Sequence, residues 1–202
     1  MLGEIDSTVS VSSVPSLLEI DAILSAAKED DMYFLIFSLA CRAALPVSRI
    51  LQINTNNMHM DGENIILIFD TDKDFGEPHY VRLPLDVTKL LNSYISNRIF
   101  PDNTGHVFYN KRNRPLTLQN LEVGARKYFA AAGLDGLYSL KDLKTRAIID
   151  MKRAGVSSEI IAQYTGLSTS RITAYKRASA MYTECPADLA NIQIKSERAA
   201  DA

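Results

Sequence analysis

The chain has 202 residues, is 47% hydrophobic and carries a net charge of −2; it is long enough for one domain with a sizeable core, and too evenly charged for net charge alone to indicate a nucleic-acid partner. Two cysteines, Cys41 and Cys185, lack metal-ligand spacing and point to a reducing, cytoplasmic setting instead of a disulfide scaffold. No apolar run approaches the roughly 20 residues of a membrane span, and the acidic start, Met1 to Asp6, lacks the basic-then-apolar order of a signal peptide.

Residues 1–14 are rich in Ser and Val, are punctuated by Pro15, and read as a flexible arm. Ser16 and Glu19 have capping-box spacing and open a helix to about Lys28. Met32 to Ala44 is almost continuously apolar and predicts a buried helix. Pro46 suits the first turn of a short helix to Gln52, where its missing N–H is not needed. Asn54 to Asn57 reads as a loop. Asn64–Phe69 and Tyr80–Leu83 are β-rich, and the connection over 70–76 is longer than a tight turn. Asp86 is expected to cap a helix to about Asn97. His106 to Phe108 is a short extended segment, followed by the basic turn Asn110 to Pro115. Two longer helices follow, Thr117–Ala132 ended by Gly133 and Leu140–Arg153 ended by Gly155. Ser157 and Ser168 cap two further short helices. The fold class is therefore mainly α with a small antiparallel β-sheet, an α+β domain over 15–180, with a tail over 181–202 that reads as helical to about Glu197.

Charge is unevenly distributed along this chain. Residues 1–110 hold 7 basic and 15 acidic side chains, whereas residues 111–177 hold 13 basic and 5 acidic. That asymmetry is what a basic face on an acidic body would produce, and such a face suits nucleic acid. Within the basic third, Ala162, Gly166, Ser168 and Ile172 have helix-turn-helix spacing: a small residue at a close crossing, a glycine turn, and an isoleucine returning to the core. The second helix would present Thr169, Arg171, Thr173 and Lys176 outward.

A wider pattern spans residues 16–178. His106-Val-Phe and Arg114-Pro-Leu-Thr lead into a helix ending Ala132-Gly-Leu. Lys141-Asp-Leu-Lys144, Gly155-Val and Tyr164-Thr-Gly-Leu167 follow in order, with Tyr175 close behind. Upstream lies Ala44-Leu-Pro-Val-Ser-Arg-Ile-Leu51. This ordered set resembles the catalytic domain of tyrosine recombinases, the phage integrase family. The resemblance implies a DNA breaking-rejoining fold, double-stranded DNA as partner, no cofactor, no small-molecule substrate and no membrane. It also implies strand exchange through a tyrosine nucleophile, two arginines gripping the phosphate, a hairpin lysine and assisting histidines.

On that reading Tyr175 is the candidate nucleophile and Lys73 the hairpin lysine. Pro46 replaces the first arginine, Lys144 the second, Lys141 the first histidine and Leu167 the last. Arginine offers phosphate a planar fork, lysine a point charge, and proline and leucine nothing. Three readings follow. The first is a DNA-binding, catalytically impaired accessory or regulatory factor, a pseudoenzyme associated with the nucleoid. The second is an active, divergent recombinase using Tyr175. The third is an interaction module that pairs with itself or another recombinase through the C-terminal tail. Arg42, Lys73, Lys141, Lys144, Arg146, Arg171, Lys176 and Arg177 are the expected DNA contacts. His59, His79 and His106 are not clustered and receive no role.

Overall fold

The structure is a computed structural model and describes residues 14–70, 78–101 and 104–173. Seven helices and one sheet are seen among them: α1 (Leu17–Ala26), α2 (Asp31–Arg42), α3 (Val47–Leu51), β1 (Met58–Asp61), β2 (Asn64–Phe69), β3 (His79–Arg82), α4 (Leu85–Ser96), α5 (Leu118–Ala131), α6 (Leu140–Arg153) and α7 (Ser158–Thr165). A further helix begins at residue 169 and is described as far as Thr173.

Local chemistry explains most of these boundaries. The capping box forms as its spacing predicts: Ser16 Oγ accepts from Glu19 N, and Glu19 Oε2 accepts from Ser16 N at 2.7 Å. Thr117 and Ser157 cap α5 and α7 through their hydroxyls. α2 is apolar on nearly every side because it is the central helix, packed by α1, α3, α4 and α6. Its Tyr33 and Phe37 meet Tyr128 and Phe129 of α5 with ring centroids 5.0–5.7 Å apart. Such aromatic pairs add stabilisation beyond the area they bury.

Four local expectations need correction. Pro46 is the N-cap of α3, one position earlier than expected; its carbonyl still accepts the first helical bonds. Asp86 does not cap α4. Pro84 occupies the cap, and the Asp86 carboxylate accepts from Arg42 Nε at 2.9 Å. Asn54–Asn57 is an ordered 3-10 turn, closed by reciprocal Asn54 and Asn57 bonds. The sheet has a third strand, β1, antiparallel to β2, giving the order β1-β2-β3. Met58-His-Met-Asp lacks β-branched residues and lies mostly exposed, so propensity gives it no signal.

Two apolar clusters divide the interior. The larger joins α1, α2, α4, α5 and the sheet. The smaller consists of Ala44, Ala147, Ile148, Ile161 and Ile172, with Leu167 packed against it. This small cluster ties the α2–α3 connection, α6, α7 and the helix after Gly166 together, and it places the candidate site. Ala44 sits there fully buried at φ +50, a left-handed conformation costly for any residue with a Cβ.

Candidate nucleic-acid interface

α6 supplies the centre of the site. Its first turn is fixed by Asp142, whose Oδ2 accepts from Ser139 N at 2.8 Å and from Ser139 Oγ at 2.7 Å. Lys141 lies exposed in that turn. Lys144, one turn on, shares a face with Ala147 and Ile148, which pack against Ala44 and Ile172. Lys144 is thereby only 9% exposed, and it makes no hydrogen bond or ion pair among the described residues. Burial lowers its pKa first, and the positive charges of Arg171 and Lys141 lower it further. Three cations thus gather near the positive end of a helix, and among the described residues none of them forms an ion pair. That arrangement repels itself and attracts an anion.

α7 ends at Gly166, whose φ of +70 suits glycine, and the Gly166 N–H closes onto the Ala162 carbonyl at 2.9 Å. Ile172 is fully buried, whereas Thr169, Arg171 and Thr173 are exposed. Leu167, standing where the family pattern has histidine, packs on the small cluster as an ordinary apolar side chain.

Other expected contacts fare differently. Arg146 is 1% exposed. Its Nε donates to both Asp150 oxygens at 2.9 Å, and its Nη1 donates to the Pro15 carbonyl at 3.0 Å. It is an internal strut, because this side of α6 faces inward. Arg42 is held by Asp86 through their 2.9 Å ion pair and is not an unpaired cation. Pro46, capping α3, offers no donor. Lys73, Tyr175, Lys176, Arg177 and the tail over 181–202 lie outside the described residues.

Two features escaped sequence reasoning. The basic turn lines a groove of about 990 Å³, with Lys111, Arg112 and Arg114 on one side and Gln119 and Lys127 of α5 on the other. Lys127 is partly neutralised by Asp30 at 3.6 Å, but the three turn cations have no ion pair among the described residues. The basic run was visible in the sequence; the groove beside it depends on how α5 and α2 pack. The second feature is His79. Its Nε2 lies 3.0 Å from both the Gln163 and Tyr164 carbonyls, 84 and 85 residues away in sequence. Only tertiary structure brings these together. Among the described residues no helix is long and apolar enough to cross a membrane, and no three His, Cys, Asp or Glu side chains gather as metal ligands.

The sequence profile described as the phage integrase family matches residues 13–181. No curated protein sequence matches the chain significantly. Among solved structures, the XerA recombinase superposes with a TM-score of 0.69 at 20% identity, covering 80% of this chain and 57% of that one. XerH site-specific recombinase, bound to palindromic difH substrate in a post-cleavage complex, gives 0.70 at 13% identity, covering 83% and 50%. A lambda integrase dimer bound to a COC′ core site gives 0.65 at 16% identity, covering 86% and 50%. The chain therefore spans about half the length of these recombinases. The family match covers most of the chain, and the helical fold with its three-stranded sheet agrees with it: this protein belongs to the phage integrase family of tyrosine recombinases.

Proposed function

We propose that the protein binds double-stranded DNA and is impaired in strand cleavage, so that it acts as an accessory or regulatory factor beside an active recombinase. One observation carries the reading. Lys144 is nearly buried, has no counter-ion among the described residues, and is flanked by Lys141 and Arg171. A fold that keeps such a cluster accepts self-repulsion in exchange for an anionic ligand. The DNA phosphate backbone is the ligand that suits the family, the basic groove of Lys111, Arg112 and Arg114, and the exposed Arg171 helix. The solved XerH and lambda integrase relatives are themselves complexes with DNA sites.

Impairment follows from the chemistry of the replacements. Phosphoryl transfer needs preorganised donors where charge develops, and removing one costs roughly 10²–10³ in rate. Pro46 donates nothing, Leu167 is packed as a hydrophobe, and Lys144 lacks the guanidinium fork. Losses within one site are not additive, but they leave little turnover.

Fluorescence anisotropy with duplex DNA tests the binding. Lys111, Arg112, Arg114, Lys141, Lys144 and Arg171 would give a log–log salt slope near −5, or roughly a 10³-fold loss of affinity between about 50 and 200 mM salt. Absence of binding at low salt would end this reading. A nicked suicide substrate tests the chemistry: no covalent adduct is expected. An adduct that disappears in Tyr175→Phe would show instead that the protein is an active recombinase.

A further inference from the structure

We propose that His79 is a positioning residue for Arg171: by holding the carbonyl end of α7, it sets where the following helix projects that guanidinium beside Lys144. The DNA consequence rests on the binding function proposed above; the geometric claim does not.

The last carbonyls of a helix have no partner within it. At the end of α7 the Ala162 carbonyl is taken by Gly166 N, and the Gln163 and Tyr164 carbonyls converge on His79 Nε2, 3.0 Å from each. Carbonyls only accept, so the ring carries its proton on Nε2 and shares it between them. The imidazole is itself fixed. It stacks on Phe69, with centroids 6.1 Å apart and an interplanar angle of 30°, and Phe69 is buried. Across the ring lies Gly166, where a Cβ would stand 3.1 Å from His79 Cε1. A second stitch runs in parallel: the Tyr164 hydroxyl donates to the Arg82 carbonyl at 3.1 Å. Strand β3 therefore grips the corner at two points. Five residues past Gly166, Arg171 directly precedes Ile172, which packs with Ala147 and Ile148 on the face of α6 that carries Lys144, and its positive charge acts on Lys144.

Filling space alone would favour an apolar side chain at position 79. Nδ1 is buried without a partner among the described residues, and an unsatisfied polar atom is costly. The imidazole is accounted for by the Nε2 bonds to α7, which no apolar residue could make.

The test uses the full chain with His79→Leu, which keeps bulk and loses the donor, and His79→Asn, whose amide is too short to reach the carbonyls. His79→Gln restores a donor at similar reach. NMR titration of the Lys144 ammonium in the absence of DNA is the first readout. Arg171→Ala should raise the Lys144 pKa; His79→Leu and His79→Asn should raise it likewise, and His79→Gln should leave it as in the parent protein. In DNA binding, His79→Leu should flatten the salt slope by about 0.9, the share of one phosphate contact, and change nothing further in an Arg171→Ala background. Folded Leu or Asn variants with the parental Lys144 titration, or a Leu effect fully additive with Arg171→Ala, would overturn the proposal. If the parent protein binds no DNA, the proposed function fails, while the titration still decides the role of His79.

Discussion

Replacing Lys144 with Met separates two consequences of one charge. Lys144 is 9% exposed, and burial together with Arg171 and Lys141 lowers its pKa. A cation whose pKa falls on folding binds fewer protons in the folded state than in the unfolded one, so it destabilises the fold while charged. That penalty is full below the lowered folded value. It disappears as pH rises through the ordinary lysine value of 10.5. Methionine fills comparable volume without charge. Near neutral pH, Lys144→Met is therefore expected to stabilise the domain by about 0.5–2 kcal/mol, the range of other charge-optimising changes. For a chain of this size that is roughly 1–8 °C in melting temperature. DNA binding should move the opposite way. Losing one charge-assisted phosphate contact, worth about 1.5–3 kcal/mol, weakens affinity roughly 10–150-fold and flattens the salt slope by about 0.9. Calorimetric melts from neutral pH towards 10.5, paired with anisotropy titrations across salt, measure both effects. A Met variant that melts lower at neutral pH, or that binds DNA with the parental slope, would refute the reasoning.

Lys144→Arg restores the fork and should tighten DNA binding with the slope unchanged, measured by the same anisotropy titration. Arg146→Met should do what Lys144→Met does not: breaking the buried Arg146–Asp150 pair costs about 3–5 kcal/mol, seen as a lower melting temperature, while the salt slope of the folded fraction stays parental. Gly166→Ala combines a left-handed φ of +70 with a Cβ 3.1 Å from the His79 ring, so a loss of about 1–3 kcal/mol in chemical denaturation is expected. Neutralising Lys111, Arg112 and Arg114 together should flatten the salt slope by about 2.7, with little change in melting temperature because all three are exposed.

Much of the helical framework was legible because it is written in short-range chemistry. The Ser16–Glu19 box, the Ser157 cap and the glycine ends of α5 and α7 each involve partners within a few residues. Strand β1 was not legible, since its residues are held by the β2 ladder and not by their own propensity. The site divided along the same line. Lys141 and Lys144 could be placed on one helical face by spacing alone. Arg146 could not be told from them, because whether a cation on α6 faces DNA or Pro15 depends on a contact 131 residues away in sequence. His79 looked isolated for the same reason: its partners belong to α7, across a crossing that no local pattern encodes.

The Arg146–Pro15 bond has a mechanical consequence. The chain enters the domain at Val14–Ser16, and Pro15 is fastened to α6 two residues from Lys144. One turn later Glu19 accepts the Tyr138 hydroxyl at 3.2 Å, just ahead of the same helix. The entry segment thus grips α6 near its start and at its middle, like a handle bolted at two points. A displacement of Pro15–Glu19 would therefore be passed directly to the helix that carries Lys141 and Lys144.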